Sequence, residues 1–229
     1  MNISPDAVIL WENGPVAINA TVAFSWAVMA ILIAGSWLAG RRLTGGREPG
    51  KLQQGIEIIV GYMRDQIADI TDQEPDRFLP FIGTMFIFIS LSNLLAIVPG
   101  YQPPTGSIST TGALAACVFV AVPVFGILRR GLADYLRHYL RPTPLMLPFN
   151  LIGELSRTLA LAVRLFGNVM SGTMIAGILL SVAPFFVPAL MQALSLLIGQ
   201  IQAYIFAVLT AVYIASGTKT SPAAEGEGG

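Results

Sequence analysis

Five apolar runs, each set off from the next by charges or by proline and glycine, limit what this chain can fold into. They cover residues 16–40, 78–98, 111–128, 148–182 and 189–216. A helix rises about 1.5 Å per residue, so runs of this length are matched to a hydrocarbon layer of about 30 Å. With 54% of its 229 residues hydrophobic and only 11% charged, the chain lies outside the composition of soluble domains. An all-α polytopic membrane protein is expected, with residues 1–229 forming one integral membrane domain.

Thirteen basic residues balance thirteen acidic ones, and nothing in their placement argues for a nucleic-acid partner. Their positions do set an orientation. Arg41, Arg42, Arg47, Lys51, Arg64, Arg77, Arg129, Arg130, Arg137 and Arg141 all fall between runs on one side. By the positive-inside rule that side is cytoplasmic, which puts the N-terminus outside and the C-terminus inside. The opening MNISPDAVILWENGPVAI carries Asp6 and Glu12 and no basic residue, so a cleaved leader is not expected. Asn19-Ala20-Thr21 matches a glycosylation sequon only by chance, since it lies at the start of the first run.

Between the first two runs, Gly45, Gly50 and Lys51 match most of a phosphate-binding GxxxxGK loop. Leu52 then stands where a hydroxyl is needed, and no strand precedes the glycines, so a connector is the better reading. Over 51–73, Ile56, Ile59, Val60, Met63, Ile67 and Ile70 recur at helical spacing, opposite Glu57, Arg64, Asp65 and Asp69. That is the pattern of an amphipathic helix at the membrane surface or against a partner. Asn93 in the second span is expected to bond a neighbouring helix. Cys117 is expected to be a packing residue. His138 falls in a basic cytoplasmic loop over 129–147, and 217–229 reads as a small, polar, disordered tail.

The fourth run departs from the others. It is too long for one upright span and too short for two, so a strongly tilted helix is expected, with Pro184 and Pro188 breaking it before the last span; together they form a tilted hairpin. It also carries charge. Glu154, Arg157, Arg164 and Asn168 share one helical face, continued by Ser171. An arginine at the centre of a bilayer costs about 2.5–3.5 kcal/mol on insertion scales, so such residues point to function. Glu154 and Arg157, one turn apart, suit a structural ion pair. Arg164 has no acidic residue within reach on its own helix and cannot shed its proton. It calls for water access or for a carboxylate from another chain. On the last run Gln192, Ser195, Gly199 and Gln202 form an uncharged polar stripe that a hairpin would bring opposite the first.

RLFGN at 164–168, the preceding PFNLIGELSRTLALAV, the small residues Ser171 and Gly172, and QAYIFAVLTAVYI at 202–214 together resemble subunit a of the rotary F-type ATP synthases. The resemblance extends over nearly the whole chain, including PTGSISTT before the third span. It implies an ion-translocating stator, without bond chemistry or cofactor of its own, in a bacterial inner membrane. Its partners would be the ring of c subunits, the peripheral-stalk b subunits, the rest of the synthase and the lipid bilayer. Arg164 matches the arginine that faces the c-ring carboxylate, and Asn168 and Gln202 match polar residues near the ion path. Where many relatives place titratable groups, this chain has Thr173, Ser195 and Ser107. The outer route then lacks a side-chain proton relay, so sodium stands beside the proton as a coupling ion. A secondary transporter would need an inverted repeat and a broken helix, and neither is visible. An intramembrane enzyme would need a nucleophile–base pair or a metal cluster at depth, and no histidine or aspartate lies there.

Overall fold

Backbone groups at membrane depth must bond within their own segment, so each apolar run folds as a helix. In the computed structural model, which describes residues 9–13, 16–42, 51–71, 74–98, 100–132, 146–182 and 187–218, a short β-hairpin precedes the helices. Strands β1 (Ile9–Asn13) and β2 (Val16–Asn19) pair antiparallel, with Glu12 opposite Ala17. The helices are α1 (Ala20–Arg42), α2 (Lys51–Thr71), α3 (Leu79–Leu94), α4 (Ile108–Arg130), α5 (Met146–Val182) and α6 (Val187–Thr218). All but α2 belong to segments long and apolar enough to cross a membrane, α3 with the help of a 3-10 turn at Leu95–Ile97. The architecture is that of an all-α polytopic membrane protein.

Several boundaries move for local reasons. The first helix begins at Ala20 rather than at 16, because Val16 and Ile18 suit a strand and pair with Asn13 and Trp11. The third span begins at Ile108, where the Ser107 hydroxyl accepts the amide of Ser109 at 3.3 Å and caps the helix. Pro148 and Pro188 sit inside the first turns of α5 and α6, where the missing N–H leaves no bond unmade. The last helix runs on to Thr218, whose hydroxyl donates to the Ile214 carbonyl at 2.9 Å, so 217 and 218 belong to helix and not to the tail. His138, most of the 129–147 loop and the tail from 219 lie outside the described residues.

One cluster joins Val28, Phe88, Ile89, Val118, Leu161, Leu165, Ala203 and Phe206, which draws on all five long helices. Helices in lipid gain little from hiding apolar surface and rely on close approach. Helix α6 meets that demand with Ala203, Ala207, Ala211 and Ala215, one per turn and all buried. The amphipathic helix α2 lays Met63 and Ile67 on Phe78 and Ile82 and on Ala207, Ala211 and Ile214 of α6. The Tyr204 hydroxyl also donates to Gln66 at 2.8 Å. The partner of α2 is therefore the chain's own bundle. Cys117 stands exposed on the outer surface of α4 rather than packed inside.

Candidate functional site

Helix α5 is 37 residues long and so extends about 55 Å, well beyond a hydrocarbon layer. Leu161 and Leu165 turn into the bundle with 1% and 0% exposure, while Leu159, Val163 and Ile175 face outward. Arg164 lies on that outward face and is exposed. Among the described residues it makes no ion pair. One turn on, the Asn168 amide donates to Gln202 Oε1 of α6 at 2.6 Å, which places Arg164 on the side of α5 nearest α6. Helix α6 also carries an exposed apolar stripe, Leu190, Leu194, Leu197 and Ile201, spaced three or four apart. Both helices thus expose apolar surface, and on α5 a cation is set into it.

Two cavities flank the arginine along α5. The proximal one, about 340 Å³, lies between α4, α5 and α6 and is lined by Asn150, Glu154, Arg157, Thr158, Tyr213, Ser216 and Gly217. Glu154 and Arg157 thus share a cavity wall, with Glu154 half-buried and Arg157 exposed. The distal cavity, about 180 Å³, is lined by Asn93, Tyr101, Asn168, Gly172, Thr173, Gln192, Ser195, Gly199 and Gln202 among others. Among the described residues the two share no lining residue.

The polar stripes of the last two helices therefore do meet, at the distal cavity. Asn168, Thr173, Ser195 and Gln202 come together there, whereas Ser107 is buried at the start of α4 and is not part of its wall. Gln192 reaches across α3's end to donate to the Ala96 carbonyl at 2.7 Å. Among the described residues, no carboxylate, lysine, arginine or imidazole lines this cavity, and Tyr101 is its one titratable group. Burial pushes the Tyr101 hydroxyl up to about 12, with Ser92 opposing in part, so it stays neutral. Tyr101 and Thr105 did not stand out in the sequence. The available signal was a lone tyrosine between Pro99-Gly100 and Pro103-Pro104 in a loop without charge.

The sequence has close counterparts. The family model described as ATP synthase A chain matches residues 22–215. The chain belongs to that family. It is 58% identical over 219 residues to ATP synthase subunit a 2 of Acaryochloris marina, covering 96% of this chain and 94% of the relative. ATP synthase subunit a of Albidiferax ferrireducens is 52% identical over 219 residues, with 96% and 95% covered. That of Nitrosospira multiformis is 51% identical over 233 residues, with 100% and 93% covered. Such likeness over nearly full length makes the chain a multi-pass component of the membrane sector of an ATP synthase.

Proposed function

We propose that this chain is the ion-translocating stator of a rotary ATP synthase and that Arg164 faces the carboxylate of each c subunit passing the α5–α6 wall. The observation that carries the reading is Arg164 itself, an exposed guanidinium in an apolar wall, set along α5 between two cavities with no common lining residue. An exposed cation in lipid is unfavourable, and an apolar partner bearing one acid relieves it. The distal cavity then opens to the outside and the proximal one to the cytoplasm. Peripheral-stalk b subunits hold the chain against rotation in the bacterial inner membrane.

Magnitudes support the switching step. A carboxylic acid buried in the ring is held protonated, since burial raises such groups by up to about 3–5 pKa units. A cation at 4 Å contributes about 4 kcal/mol at an effective dielectric of 20, or about three units in the opposite sense. The two effects are comparable, so approach to Arg164 ionises the acid and its proton leaves into the cavity water. Departure from Arg164 follows once a proton arrives from the other cavity. Arg164 also bars ions from passing directly between the cavities. The chain makes and breaks no substrate bond; ATP forms elsewhere in the synthase.

The distal wall supports sodium as a second reading, because its amides and hydroxyls solvate a metal ion as readily as they hold water. The test is Arg164→Ala in the assembled synthase, measured as ATP-driven ion pumping into vesicles. Pumping should vanish; pumping at the normal rate would remove Arg164 from the mechanism. The same vesicles assayed with and without sodium decide the ion, since strict sodium dependence excludes the proton.

A further inference from the structure

We propose that Asn93 is a positioning residue for the distal half of the ion path, wedged against Gly199 so that Gln202 meets Asn168. Asn93 is 5% exposed on α3, and its amide donates to the Gly199 carbonyl of α6 at 2.9 Å. Its Oδ1 accepts from the hydroxyl of Thr105, fully buried in the α3–α4 loop, at 3.1 Å. The fit depends on a missing methyl. A Cβ at Gly199 would lie 2.9 Å from Asn93 Cβ, 3.0 Å from Cγ and 3.1 Å from Nδ2, too close for either helix to keep its place.

Gly199 and Gln202 stand three residues apart, so whatever sets the depth and rotation of α6 at the first sets them at the second. Asn93, Gly199, Gln202 and Asn168 all line the distal cavity. The chain of contacts thus runs from the loop through α3 and α6 to α5, one turn from Arg164. A bond made only to hold two helices together need not end at the cavity; this one fixes the wall that ions pass. The inference rests on the distal cavity being the ion route.

The test is ATP-driven pumping by the complete synthase, normalised to assembled complex. Thr105→Val keeps the shape but loses the donor and should slow pumping by roughly two- to tenfold, the range implied by the net contribution of one hydrogen bond. Thr105→Ser keeps the donor and should restore it. Gly199→Ala should slow pumping further, and adding Asn93→Gly should bring it back to the level of Asn93→Gly alone. If Thr105→Val pumps as fast as Thr105→Ser while Gln202→Leu is slowed, the positioning role is wrong. Should Gln202→Leu pump normally, the ion-route reading fails, and this one with it. If Gly199→Ala prevents assembly, the Thr105 pair decides alone.

Discussion

Arg164 sets a guanidinium, a permanent cation as a residue type, into the exposed face of α5. Its usefulness then depends on having no carboxylate of its own, a condition met among the described residues. Asn168→Asp breaks it, since an acid one turn away on an exposed face pairs with the arginine. ATP-driven pumping by this variant should fall at least about tenfold, equivalent to about 1.4 kcal/mol of competing interaction; an undiminished rate would show that Arg164 tolerates a resident partner. Tyr101 gives a pH signature of a different kind. Its folded value of about 12 lies above the ordinary 10, so below pH 10 both states hold the proton and nothing changes. As pH rises from 10 towards 12 the unfolded chain releases it first and stability is lost. Denaturant titrations above pH 10 should therefore show wild type losing stability that Tyr101→Phe retains. That Arg164 lacks an acid at helical spacing was legible in the sequence, because it is a local fact. Tyr101 could not, because its place in the cavity depends on where a loop comes to rest.

Among the elements, those that depend on local pattern were legible. Length and apolarity gave five spans, and 3.6-residue spacing gave α2. The exceptions have local causes that spacing does not show: proline is harmless in a first turn, as at Pro148 and Pro188, and two short stretches pair as strands before α1 begins. Beyond the hairpin of α5 and α6, whose polar stripes meet as expected, which helix touches which was not legible. Asn93 and Gly199 meet across 106 residues, and Gln66 and Tyr204 across 138. Gly217 marks another such contact. A Cβ there would come within 2.8 Å of Val122 Cγ1 and 3.5 Å of the Val122 carbonyl oxygen, so α6 can end against α4 only without one. Gly217→Val should cost about 1–3 kcal/mol through overpacking. Thermal unfolding of the purified protein in detergent checks this, and a Tm equal to that of wild type would mean that the α4–α6 end gives way freely.

At the scale of the molecule, what matters is that the two cavities have separate walls among the described residues. Their walls have no residue in common, and Arg164 stands about four residues from one and six from the other along α5, a separation of roughly 6–9 Å on each side. A continuous pore would dissipate an ion gradient, whereas two separate cavities would oblige each ion to travel on the ring, as proposed. The positive-inside rule predicts the direction: loops between α1 and α3 and after α4 in the cytoplasm would turn the proximal cavity inward. Single-cysteine variants, made after the exposed Cys117 is replaced by serine, read both points in one experiment. Asn150→Cys should react with a membrane-impermeant thiol reagent only from the cytoplasmic side, and Thr173→Cys only from the outside. Exchange of the two sides would invert the topology. Reaction of either cysteine from both sides would mean a continuous channel, and Arg164 would then not separate two half-paths.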